Sequence, residues 1–138
     1  MADAVTSQTI VDTEKRVVMK FTNLSDGNGE SAVKKVDVSE LTAHPDGTAC
    51  SQVTIDQIWY DIGGMRLAID FDASTNVVAL ILGGSAAAGN VSGHWDYRSF
   101  GGIKNNSGSG ITGDIDLTTH GHTNHDHYTI VLELRKSY

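Results

Sequence analysis

A period of two runs through almost the whole chain, and it limits the fold more than any other feature. Apolar and polar residues alternate in short runs, and no segment sustains the 3.6-residue period of an amphipathic helix. Arg16 to Asn23 reads as a strand that stops at the turn cluster Ser25-Asp26-Gly27-Asn28-Gly29. Ala32 to Ser39 reads as a second strand. In it Val33 is out of phase with Val36 and Val38, which predicts a bulge or a late start. One helical turn fits between Val36 and Leu41, and His44-Pro45-Asp46-Gly47 is a loop.

Gln52 to Tyr60 and Arg66 to Asp72 read as strands joined by a hairpin at Gly63-Gly64. Asn76 to Leu82, apolar on both faces, is expected to be a central strand. A small-residue loop, Gly83 to Gly93, then precedes a short aromatic strand from His94 to Phe100. A second loop, Gly101 to Gly113, leads into a closing hairpin made by Gly113 to Thr119 and Tyr128 to Arg135. The expected fold is all-β: an antiparallel β-sandwich or jelly roll of about eight or nine strands. It occupies residues 14–138 as a single domain behind an extended N-terminal arm, residues 1–13, which would order only against a neighbour.

A chain of 138 residues suits one domain. With 39% apolar and 20% charged residues, neither wholesale disorder nor a coiled coil fits. Ten Lys and Arg face 17 Asp and Glu, a formal charge of −7, so no direct nucleic-acid partner is expected. The single cysteine, Cys50, excludes an intramolecular disulfide and a cysteine-only zinc site. Met1 to Ser7 lacks the basic patch and apolar core of a secretory signal. The longest apolar run, Val77 to Leu82, falls far short of the ~20 residues of a membrane helix. Synthesis in a cytoplasm and no membrane partner are therefore expected.

Four of the six histidines crowd into His120-Gly121-His122-Thr123-Asn124-His125-Asp126-His127. If residues 115–134 formed a hairpin with Ile115 opposite Leu132, then His120 would face His127 and His122 would face His125 on one solvent face. Zn²⁺ or Ni²⁺ ligands have that spacing. Thr123 suits the tight turn poorly, and the register sets Asp114 against Glu133. A solvated polar tip is therefore the first reading, a contact across a symmetry axis another, and no metal or other cofactor is expected.

Asp26-Gly27-Asn28-Gly29-Glu30 imitates a calcium loop but puts Ser31 where glycine is needed and lies between strands. Gly108 to Gly113 fits a dinucleotide fingerprint formally, yet no helix follows it. Trp59 and Tyr60 must lie on opposite strand faces. One of these two is therefore expected in the core, Trp95 and Tyr97 are expected to share a face, and Trp59, Tyr60, Trp95, Tyr97 and Phe100 together read as core, subunit interface or a sugar-stacking platform. Asp70 and Asp72 read as the solvated side of their strand. No nucleophile elbow or Cys–His arrangement is present, so an enzyme is not expected; a hydrolase using a metal at the histidine tip would be its only form.

Val17 to Val33, Ser99 to Ile115 and the ending Tyr128 to Lys136 resemble stretches of small virion structural proteins of tailed bacteriophages, cyanophage-type ones especially. The resemblance implies a non-enzymatic building block, best matched by a head decoration (cement) protein. Such proteins sit on the capsid exterior, commonly as homotrimers, and bridge neighbouring major capsid protein subunits. Ile10, Val11, Trp95, Tyr97 and Phe100 are the expected contact residues. A neck, tail or fibre component is the first alternative. A carbohydrate-binding module using Trp95 and Tyr97 is the second.

Overall fold

The computed structural model describes residues 3–83 and 90–138. Among these described residues, nine strands form two antiparallel sheets: β1 (Ala4–Asp12), β2 (Arg16–Asp26), β3 (Val33–Val36), β4 (Gln52–Gly63), β5 (Arg66–Phe71), β6 (Val77–Gly83), β7 (Asn90–Asp96), β8 (Ile115–His120) and β9 (Asn124–Ser137). One sheet runs β1-β2-β9-β4-β7 and the other β3-β8-β5-β6. This is the all-β sandwich that the alternation implies. The core lies between the sheets. Val17, Phe21, Ile55, Ile58, Tyr128, Ile130 and Leu132 from one sheet meet Leu67, Ile69, Phe71, Ile115 and Leu117 from the other. The bulge or late start expected near Val33 appears as a register shift between Lys34 and Val36, and the helical turn expected between Val36 and Leu41 is a 3₁₀ turn at Val38–Glu40.

Of the expected arm, residues 1–2 lie outside the described residues, and Asp3 to Thr13 do not await a neighbour. Ala4–Asp12 lies antiparallel on β2, from Ala4 opposite Leu24 to Asp12 opposite Val17. A short turn, with Thr13 N–H donating to Arg16 O at 2.8 Å, makes the two strands a hairpin. Both ends of β1 are fastened. Asp3 accepts from Asn23 Nδ2 (3.0 Å) and from the amides of Asp26 and Gly29. Asp12 Oδ1 accepts from Lys136 Nζ at 2.5 Å. The segment's weak alternation follows from its position: Ala4 to Ile10 are exposed on both faces, so no core imprints a pattern on them.

The apolar run at Val77–Gly83 is not a central strand. β6 bonds to β5 on one side only and forms an edge, with Val78 50% and Ile81 62% exposed. The aromatic strand also shifts: the strand is Asn90–Asp96, and Arg98–Phe100 forms a 3₁₀ turn ended by Gly101 at φ 91°. Residues 84–89 of the expected small-residue loop lie outside the described residues.

Neither expected hairpin, at Gly63-Gly64 or at the histidine tip, exists. β4 and β5 belong to opposite sheets, and Gly64 (φ 79°) turns the chain across the sandwich. β8 and β9 likewise belong to opposite sheets. β8 pairs with β3 and β5, and β9 with β2 and β4. The buried faces of β8 and β9 were read correctly, but they meet through the core instead of side by side. Alternation tells which face turns inward; it does not tell which sheet a strand joins.

Candidate interaction surface

The arch between β8 and β9 scatters the four histidines. His120 ends β8 beside Arg66, exposed. His122 lies near Thr119, its Nδ1 3.3 Å from Thr119 Oγ1, and its ring packs on Gly29, where an added Cβ would meet it at 2.3 Å. His125 takes φ 73° at the start of β9, exposed. His127 sits between Leu24 and Gly63, its ring against Gly63. The predicted His120–His127 and His122–His125 pairs do not form, because they required β8 and β9 to be hydrogen-bonded neighbours. Among the described residues, no group of three or more His, Cys, Asp or Glu is placed to hold a metal ion.

Asp70 and Asp72 are less solvated than their alternation suggests. Asp70 lies directly opposite Asp116 across the β5–β8 ladder, and one buried oxygen of each lacks a hydrogen-bond partner. Burial, reinforced by the neighbouring Asp72 carboxylate, pushes the Asp116 carboxyl up to about 6. Burial also raises Asp70. Lys34, opposite Asp116 across the β3–β8 ladder, pairs instead with Asp114, 3.0 Å from its Oδ2.

The predicted contact residues fall into two places. Ile10 and Val11 lie near the end of β1. Ile10 has no partner at the register shift between Thr9 and Val11, and it is exposed, whereas Val11 is half-buried opposite Val18. Trp95, Tyr97 and Phe100 lie at the other rim, on and just after β7. Trp95 is 55% exposed, its Nε1 donating to Tyr60 OH at 3.2 Å. Tyr97 leaves the strand and packs half-buried against Phe100, ring centroids 5.9 Å apart, while Phe100 is 66% exposed. Trp95 and Tyr97 therefore do not share one flat face. Arg98 locks this rim by a bidentate pair with Asp96 (2.9 and 2.7 Å), which holds the Asp96 carboxyl down at about 2.

β4 approaches β6 across the sandwich, so the edges β6 and β7 flank the same side. That flank carries Val78, Ile81, Trp95 and Phe100, and β6 contains no charged side chain. A seven-residue apolar edge without lysine or proline leaves backbone donors and acceptors open to another chain.

A second surface lies on the outer face of the five-stranded sheet, where Trp59, an expected stacking residue, has neighbours that sequence reasoning did not find. Trp59 points outward and Tyr60 toward the core, as their adjacency requires. Trp59 stacks on His94 of the neighbouring strand, with ring centroids 4.8 Å apart and planes 7° from parallel. His94 Nε2 donates to Gln57 Oε1 (2.8 Å), Gln57 Nε2 donates to Glu133 Oε1 (3.0 Å), and Glu133 is paired with Arg16 (3.4 Å). Beside the stack is an open hollow of 410 Å³ whose walls include Asp61, Ser92, Thr129 and Val131. The outward direction of Trp59 was readable from alternation. Its pairing with His94, 35 residues away, required the β4–β7 ladder.

No protein-family model matches this chain, and no curated protein matches it.

Proposed function

We propose that the chain is a non-enzymatic structural component of a tailed-phage virion, a decoration protein that binds the outside of the head and bridges neighbouring capsid subunits. The observation that carries this reading is the uncharged apolar edge of β6, together with the exposed Trp95 and Phe100 on the same flank. On a chain of net charge −7, such a strip is suited to burial against a protein partner and poorly suited to water. The resemblance of Val17 to Val33, Ser99 to Ile115 and Tyr128 to Lys136 to phage virion proteins supplies the partner class, the major capsid protein, and the expectation of a homotrimer.

Co-sedimentation with heads stripped of decoration proteins tests the reading. Wild type should pellet with the heads, and Ile81→Lys or Trp95→Ala should lower occupancy at least tenfold while the chain stays folded. Undiminished binding by both variants, or labelling of the tail in micrographs, overturns it. Light scattering tests the trimer: a mass near three times 14.7 kDa is required, and a stable monomer removes it.

A further inference from the structure

The outer hollow lies on a sheet face and not along a sheet edge: β9 and β4 beneath it are paired on both sides, and β7 is paired with β4, so strand addition does not fill it. We propose that the hollow beside Trp59 is a binding site for a neutral pyranose chain, with the indole as the stacking platform and Asp61 and Ser92 as hydroxyl partners. The proposal does not depend on the virion reading.

Register sets the site out in two rungs. Across one rung, Val131, Trp59 and His94 are direct cross-strand neighbours on β9, β4 and β7. Two residues along, Thr129, Asp61 and Ser92 are direct neighbours on the same three strands. Strand rise places the rungs roughly 7 Å apart on one face. An aliphatic–aromatic row therefore runs parallel to a hydroxyl–carboxylate–hydroxyl row. A pyranose presents the same division: one apolar face of C–H groups, edged by hydroxyls that donate to a carboxylate and exchange hydrogen bonds with serine or threonine.

The platform is held before any ligand arrives. One face of the indole rests on His94, and His94 is tied through Gln57 and Glu133 back to Arg16 on β2. This chain of contacts limits the rotamers of a tryptophan that is 36% exposed. Rigid, exposed aromatic surface lowers the ordering cost of binding. The volume, 410 Å³, lies within the roughly 300–1,000 Å³ of small-molecule clefts. Charge selects the ligand: no Lys or Arg lines the hollow and Asp61 does, so a neutral sugar fits and a carboxylated or sulfated one is repelled.

Titration of the full chain with cellohexaose, laminarihexaose, mannohexaose and xylohexaose, followed by tryptophan fluorescence and calorimetry, tests this. At least one neutral hexasaccharide should bind. Trp59→Ala should weaken it at least tenfold and Asp61→Ala several-fold. Trp95→Ala, on the opposite face of the sheet, should leave affinity unchanged. Thermal melts of each variant separate loss of the site from loss of the fold, and Asp61→Ala, at an exposed position, gives a reading even if Trp59→Ala fails to fold. No binding of the four probes by the folded chain, binding that survives Trp59→Ala, or preference for heparin or polygalacturonate over the neutral chains would overturn the proposal.

Discussion

The Tyr128 hydroxyl donates a 2.5 Å hydrogen bond to Glu30 Oε1, and this contact ties the two sheets together at one end of the sandwich. Asn23 Nδ2 donates to the same oxygen at 2.8 Å, and Lys35 Nζ lies 2.5 Å from Oε2. The Glu30 backbone is bonded to Thr119 of β8 through both its N–H and its C=O. One residue between β2 and β3 thus gathers β2, β3 and β9 through its carboxylate and β8 through its backbone.

Glu30→Gln should be among the more damaging conservative substitutions. It leaves the Lys35 ammonium, whose side chain is 5% exposed, without its counter-charge. A loss of about 3–5 kcal/mol is expected for breaking a buried pair from one side. Tyr128→Phe removes one bond to a charged acceptor and should cost less, about 1.5–3 kcal/mol. Urea melts of both variants give the order; equal or reversed losses would mean that Lys35 reaches solvent when its partner goes.

The opposite end depends on Lys136. Its side chain is fully buried, and its ammonium donates to Asp12 Oδ1, Thr13 O and Thr42 O. Asp12→Ala should destabilise the chain by about 3 kcal/mol, because the charge stays buried with carbonyls alone. Removing residues 1–13 deletes β1, exposes the β2 edge and unpairs Lys136. The truncated chain should melt well below the full chain or aggregate; an unchanged melt would show that β1 is not part of the fold's support.

Stability should fall as pH rises from about 4 to about 6, through the contribution of Asp116. Its carboxyl binds a proton more tightly in the folded chain, up to about 6, than in the unfolded one, near 3.8. The folded state therefore holds more protons across that window, and stability from this group is present below the unfolded value and lost by about 6. Asp3, Asp12 and Asp96 are shifted the other way and oppose this trend in acid. Asp116→Asn isolates the effect. The variant should gain stability relative to wild type at pH 7 and lose that advantage at pH 4, read as paired thermal melts.

Two glycines with similar backbone angles should respond differently to alanine. Gly113 (φ 86°) would place a Cβ 1.9 Å from the Ser51 carbonyl oxygen, while Gly47 (φ 93°) has open space around it. Gly47→Ala should cost only backbone strain, about 1 kcal/mol. Gly113→Ala should cost several times more, since Ser51 and Gln52 backbone must move. Chemical melts showing equal losses would mean that the 113 turn relaxes freely.

Much of the fold was legible because burial writes itself into strands every second residue. Leu67, Ile69 and Phe71, or Tyr128, Ile130, Leu132 and Leu134, marked their inward faces without ambiguity. β1 and β6 were misread for opposite reasons. β1 overhangs the sandwich, so no core shaped its pattern; β6 is apolar on both faces although one of them meets water. The histidine constellation failed with the hairpin that carried it, and the Trp59–His94 stack stayed hidden because a cross-strand neighbour 35 residues away leaves no local trace.

By itself the sequence determined the class of fold, the buried faces of most strands, an irregularity near Val33 and the net acidic charge, all of which follow from local alternation and composition. Only the tertiary structure decided strand partners, edges and sites. Backbone hydrogen bonds can satisfy any strand beside any other, and the choice among pairings is made by how whole faces close over one core. That closure sent β8 and β9 into opposite sheets, left β6 at the rim, and brought Trp59 beside His94 and Glu30 under Tyr128.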